Sequence, residues 1–170
     1  MPLNSGNFNT DSLQDFDRGQ EVTQVYRLSG GELRLVPLSF TETRSGERKK
    51  EKATEILSEK YISYGAFDGD RVIGEIMLIK ELNRGRMIVD SLHVSREYRR
   101  RGIGRMLMNA ARKEAHRRGA KALYISCCNA KETIDYYMAM GCRLSDDPIP
   151  AYAEEEPCDL QMELTLPHSR

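Results

Sequence analysis

The feature that most restricts the fold is the run from Arg86 to Cys128. It opens with "RMIVDSLHV" (86–94), a strand-like stretch. "GIGRMLMNAARKEAHRR" (102–118) follows, with Ile103, Met106, Leu107, Ala110, Ala111 and Ala115 spaced along one face of a helix that Gly119 ends. "ALYISCC" (122–128) is a second, short apolar strand. Strand, helix, strand in that order is a βαβ unit, so the two strands should run parallel in one sheet.

The rest of the chain must be built around that unit. Runs at 62–68, 71–80 and 86–94 are separated by the turn chemistry of "DGD" (68–70) and "NRG" (83–85), which predicts an antiparallel meander. Upstream, "TQVYRL" (23–28) and "ELRLVPLSF" (32–40) flank the turn "SGG", and Pro37 puts the second of these at an edge or interrupts it. A charged helix is expected over 45–61, with Ala53, Ile56 and Leu57 as its narrow apolar stripe. "KETIDYYMAM" (131–140) reads as a helix stopped by Gly141. Two last strands, near 142–145 and 159–166, flank "DDPIPAYAEEEP", which reads as a linker. Residues 1–20 are polar and rich in Asn, Ser, Asp and Gly, and read as a loose tail, with a short helix as the alternative. The expectation is one α/β domain over 1–170, with a single mixed, mostly antiparallel sheet and helices on both faces.

Charge narrows the function. Lys plus Arg and Asp plus Glu both number 26, for a net charge of zero, which disfavours a general polyanion binder. "RRR" and "HRR" carry no interleaved aromatics, so no nucleic-acid partner is expected. Apolar runs such as "IMLI" (76–79) fall far short of the roughly 20 residues a bilayer requires, and the N-terminus has neither a basic start nor an apolar run. A cytoplasmic protein without membrane partners is expected. Cys127, Cys128, Cys142 and Cys158 form no Cys-x-x-Cys pair, and His93, His116 and His168 are scattered, so no metal site is expected.

Any cationic site must therefore be local. Arg99, Gly102 and Gly104 form R-x-x-G-x-G where strand gives way to helix. Glycines let the backbone approach a ligand closely. The first helical amides lack internal partners and point outward along the helix dipole, which makes an anion site. Arg99, Arg100, Arg101 and Arg105 add charge, and the expected guest is a phosphate or pyrophosphate. The fingerprint G-x-G-x-x-G is broken by Leu107, and the Walker G-K-[ST] is absent, which disfavours the common nucleotide folds.

The corner resembles the GNAT superfamily of N-acetyltransferases. That family shows Q/R-x-x-G-x-G/A after a strand ending L-x-V. Here "LHV" (92–94) precedes "SREYRRRGIG" (95–104). The family's later Asn and aromatic-Tyr-x-x-x-Gly segment are matched by Asn129 and "YYMAMGC" (136–142). The resemblance is most specific over 62–145. It implies acetyl-CoA as cofactor, its pyrophosphate on the amides of residues 100–105, Ile103 among them. It also implies that the central parallel strands splay, with the pantetheine arm pairing along Leu92, His93 and Val94. Asn129 would hold that arm, and the amide near Leu92 or His93 would polarise the thioester carbonyl.

By the same resemblance, Tyr137 stands where the family's thiolate-protonating Tyr sits. Asp90, four residues before Val94, occupies a position where some small-amine acetyltransferases carry an acid. Glu75 is a carboxylate inside the apolar "VIGEIML", which makes it a second candidate base. For His93 a backbone role is favoured over a side-chain one. The expected reaction is direct attack by a small-molecule primary amine on acetyl-CoA in a ternary complex. A protein or peptide N-acetyltransferase and a non-catalytic acyl-CoA sensor are the alternatives, and a homodimer is left open. The acidic "AYAEEEPCD" (151–159) lies where it could meet a cationic amine, and equally reads as a solvated loop.

Overall fold

Alternation of apolar side chains along the meander gives a sheet that is buried on both faces. The computed structural model describes residues 1–43 and 45–167, so His168 lies outside them. Strands β3 (Tyr61–Asp68), β4 (Arg71–Ile79) and β5 (Arg86–Val94) pair antiparallel in sequence order. A 3-10 turn at Arg96–Tyr98 leads into helix α2 (Ile103–Arg117), which returns the chain to β6 (Ala122–Cys127), parallel to β5. Helix α3 (Lys131–Ala139), the short β7 (Arg143–Leu144), helix α4 (Pro150–Glu155) and β8 (Leu160–Thr165) complete the order β3-β4-β5-β6-β8-β7. No described helix is long and apolar enough to cross a membrane.

Period two along the strands divides the core. Ile76, Leu78, Met87 and Val89 meet Leu107, Met108 and Ala111 of α2 and Ile134 and Tyr137 of α3 on one face. Met77 and Val72 meet Ala53 and Ile56 of helix α1 (Gly46–Ile56) on the other. Helices thus cover both faces, as expected.

Four features differ from the expectation. Strands β1 (Gln20–Ser29) and β2 (Glu32–Glu42) form a separate two-stranded ribbon rather than joining the main sheet. Next to Pro37 the register slips, so that Leu38 and Ser39 together face Thr23. This is a bulge of the kind that ends regular pairing. On α2, Met108 is buried and Met106 faces solvent, because the buried stripe runs through Leu107, Met108, Ala111 and Ala115. Buried with them is Glu114, held by Arg117, Arg118 and the Tyr64 hydroxyl. The stretch read as a linker contains α4, with Pro150 in its first turn, where a missing N–H costs nothing.

The fourth difference is the N-terminus. Residues 1–19 are not a loose tail. They run through turns that bury Leu3, Phe8, Leu13 and Phe16 against Ala53, Ile56, Val72 and Met77. Leu3 N donates to Ser63 O at 2.8 Å, extending the sheet edge at β3. Because Phe8 is 2% exposed, Phe8→Ala should cost about 3–5 kcal/mol of stability. Urea denaturation at unchanged slope checks this, and a change below about 0.5 kcal/mol is what a loose tail would give.

Candidate functional site

The site begins where two strands part. β5 pairs with β6 from Arg86↔Ala122 to Val89↔Ile125 and no further, although β5 runs on to Val94. At that point Val89 faces Leu78 and Ser91 faces Met77 on β4, which leaves Asp90 as an extra residue. A bulge of this kind bends its strand and re-aims side chains. Beyond it, β5 keeps its bonds to β4 and loses those to β6. Ser95 N donates to Ile73 O on the β4 side. Main-chain groups alternate along a strand, so the amides of Leu92 and Val94 face the gap while that of His93 faces β4.

The wide end of the gap is braced. Arg99 is half-buried, with Nε donating to Val94 O at 3.0 Å and a terminal nitrogen donating to Gly19 O at 2.9 Å. Asp17 O accepts from Arg96 N, and Asp17 N donates to Ser95 Oγ. Further along β1, Val25 bridges to Ala130 and Tyr26 N donates to Asn129 O. The ribbon thereby joins the two diverging strand ends.

At the glycine corner, Arg100 (φ 65°) and Gly102 (φ 81°) both take the left-handed conformation. Gly102 is the N-cap of α2 and offers no side chain to the first-turn amides, which leaves those amides available to an anion. Arg100, Arg101 and Arg105 are exposed, with Arg101 stacked 5.2 Å over the Tyr98 ring. An open depression of about 480 Å³ runs from Gly102 and Arg105 along α2 past Asn109 to Lys113. Gly104 is tight for a different reason than expected. A Cβ there would lie 3.2 Å from the Tyr136 ring and hydroxyl, so the residue makes room for Tyr136. The Tyr136 hydroxyl is itself buried without a hydrogen-bond partner. Uncapped amides, a backbone edge facing the gap and this orphaned hydroxyl fit a diphosphate-bearing, amide-containing chain.

Two candidate groups sit on the α1 face. Glu75 is 2% exposed, and Ser91 Oγ donates to both of its oxygens at 3.1 and 3.3 Å. His93 Nδ1 lies 2.9 Å from Glu75 Oε1. Burial pushes the Glu75 carboxyl up, but His93, Lys52 and Ser91 together outweigh it and hold it below the ordinary value. Asp90 pairs with Lys52 Nζ at 3.0 Å, and Lys52 also reaches Glu55 at 3.2 Å. Burial opposes the charge on Lys52, yet Asp90 and Glu75 prevail and raise its pKa. Leu13, Phe16, Arg18, Lys49 and Lys52 close a small cavity over Glu75 and His93.

On the α2 face, Tyr137 is 6% exposed and packs edge-on to Tyr136 at 5.1 Å between centroids. Burial pushes its phenol well up, with Cys127, Tyr136, Cys142 and Glu75 adding to the effect. Asn129 is buried where the chain leaves β6. The structure thus places Leu92, His93 and Val94 on the free length of β5, Glu75 beside His93 on the α1 face, Asn129 where the chain leaves β6 and Tyr137 on the α2 face. Arg100, Arg101 and Arg105 stand outside the gap at the corner. Sequence reasoning missed Ser91, Lys52 and the Tyr136 hydroxyl. Ser91 was recoverable, since it is two residues from His93 on one strand face. Lys52 was recoverable too, four residues before Ile56 on the buried face of α1.

Several solved structures share this architecture. Nourseothricin acetyltransferase is 21% identical, with a TM-score of 0.75 over 98% of this chain and 97% of that one. A putative streptothricin acetyltransferase from Bacillus anthracis strain Ames, in complex with acetyl coenzyme A, is 18% identical, with a TM-score of 0.73 over 99% and 96%. An aminoglycoside 6'-N-acetyltransferase complexed with coenzyme A is 18% identical, with a TM-score of 0.59 over 73% and 83%. At these identities the likeness shows the fold. No curated protein matches the sequence. Residues 31–142, more than half of the chain, match the model of the acetyltransferase (GNAT) family. The chain belongs to the GNAT family of acetyltransferases, for which acetyl-CoA is the acyl donor.

Proposed function

We propose that the protein acetylates a primary amine of a small molecule by direct attack in a ternary complex with acetyl-CoA. The observation that carries this reading is the half-free strand β5. Its Leu92 and Val94 amides turn to the gap beside the uncapped start of α2, and a covered cavity lies on the α1 face. Residues 100–105 would hold the diphosphate, and Leu92, His93, Val94 and Asn129 the arm that follows it. Of the two candidate amides, Leu92 is the one aimed at the gap. Bound there, acetyl-CoA supplies an activated acetyl thioester. The Leu92 N–H would stabilise charge growing on the carbonyl oxygen. Tyr137, kept neutral by burial, would donate its hydroxyl proton to the departing sulfur. Arg99 acts here by holding Val94 O and Gly19 O rather than by touching phosphate.

The α1 face is closed by Leu13, Phe16 and α1 over a cavity of about 20 Å³, the size of one water, so no open peptide groove lies there. A cationic acceptor is favoured by the charge at the end of β6. Burial, Glu156 and Glu42 raise the Asp159 carboxyl to about 6. The fields of Glu42 and Asp159 both reach Cys128, the neighbour of Asn129. The two full-length structural relatives are described as acetyltransferases of nourseothricin and streptothricin, which supports the same class. Purified protein with acetyl-CoA, screened against small amines and peptides while free thiol is followed, tests the reading. Turnover with small amines is expected; turnover with peptides alone would overturn it.

Two substitutions separate binding from chemistry. Tyr137→Phe should lower kcat by about 10²–10⁴-fold with coenzyme A affinity by calorimetry within twofold of wild type. Gly104→Val should displace the Tyr136 ring that a Cβ meets at 3.2 Å. It should cost both coenzyme A affinity and about 1–3 kcal/mol of stability, read by calorimetry and thermal melting.

A further inference from the structure

The cluster on the α1 face contains three groups able to take a proton, and their partners sort them. Asp90 is tied to Lys52 at 3.0 Å and flanks the point where β5 bends. Glu75 is 2% exposed, with its oxygens occupied by Ser91 Oγ and His93 Nδ1. His93 differs from both. Its side chain is 27% exposed and lines the cavity formed by Leu13, Phe16, Arg18, Lys49 and Lys52. An ionised carboxylate only accepts hydrogen bonds, so the nitrogen facing Glu75 must carry the hydrogen. In neutral imidazole the lone pair then belongs to Nε2.

Resting on the acetyltransferase reading above, we propose that His93 is the general base that takes the acceptor amine's proton at Nε2, and that Glu75 is a positioning residue that fixes its tautomer through Nδ1. As the amine nitrogen bonds the acetyl carbon, one N–H bond breaks and its proton moves to Nε2. The carbon–sulfur bond breaks, its electron pair stays on sulfur, and the sulfur takes a proton from Tyr137 Oη. Solvent restores the Tyr137 proton and receives the one held by His93, so the protein ends unchanged. The same residue thus serves twice, its backbone along the gap and its ring on the α1 face.

Charged groups surround the His93 ring. Glu75 from β4 lies against its Nδ1. Lys52 and Lys49 from α1 and Arg18 from the N-terminal segment line the same cavity, with Lys52 paired to Asp90 and Glu55 and Arg18 to Glu42. Glu75→Gln keeps an acceptor oxygen for Nδ1–H, whereas Glu75→Ala removes it, so Glu75→Ala should lower kcat more than Glu75→Gln does.

The test uses the full chain. His93→Gln should lower kcat by about 10²–10⁴-fold and abolish the acid limb, while coenzyme A affinity, which also reports folding, stays within threefold. Free imidazole should restore part of the rate in His93→Ala. Independently of turnover, nitrogen-15 histidine spectra should show Nδ1 protonated in the neutral ring of the wild type and of Glu75→Gln. An unchanged acid limb in His93→Gln alongside an active wild type, or a neutral ring protonated at Nε2, would overturn the base and leave the acetyltransferase reading standing. A wild type that acetylates no amine would overturn that reading and this inference with it.

Discussion

The parting of β5 from β6 after Val89 is the constraint on which the rest depends. A parallel pair that stayed zipped to Val94 would leave no free amide and no passage through the sheet. The bulge at Asp90 accomplishes the parting without sacrificing the strand, because β4 still holds β5 out to Gly74↔Val94. An opened sheet would otherwise expose main-chain groups with nothing to fix their positions. Arg99 caps one carbonyl, and the ribbon spans the strand ends through Gly19 and Asn129. The cost of opening is thus confined to the few groups that a ligand can satisfy.

A gap in a sheet is also where its two faces communicate. His93 and Glu75 lie on the face covered by α1 and the N-terminal turns, and Tyr137 lies among the α2 and α3 side chains on the other. Acyl transfer moves one proton off the nucleophile and another onto the leaving group, and the two groups approach the carbonyl from different directions. With His93 and Tyr137 in the proposed roles, placing the basic and acidic groups on opposite faces would meet that requirement without direct contact between them. Burial holds the phenol in its protonated form and the Glu75 field adds to it. The carboxylate beside His93 therefore also helps to keep the Tyr137 phenol protonated.

Much of this was legible in the sequence, and what was not has physical causes. "RMIVDSLHV" and "ALYISC" match β5 and β6, since apolar strands bounded by Gly and turn residues leave little choice. The R-x-x-G-x-G corner was equally plain. Leu3, Phe8, Leu13 and Phe16 were not, because they enter the core from turns, at spacings of no regular period. α4 was hidden by the three prolines and three glutamates of its stretch, although Pro150 is itself a helix-start signal. The contact between His93 and Glu75 was not legible, because the two lie 18 residues apart and become neighbours only through the β4–β5 register.

The arginine-rich corner shows how one motif divides its labour. Four arginines cluster there in a chain of zero net charge, and their summed charge looks like the source of anion affinity. Arg99 is spent on backbone carbonyls, and Arg101 lies on the Tyr98 ring. The exposed guanidinium groups act across solvent and weaken with ionic strength over about 8–10 Å. The amides beneath Gly102 are fixed in direction by the helix and act at contact distance, where salt screens little. In the proposed site, specific holding would therefore fall to the backbone, and the exposed arginines would chiefly raise the local concentration of an anionic donor. Gly102, which no side chain caps and whose φ of 81° an L residue adopts only with strain, would then carry more of the proposed site than any charge beside it.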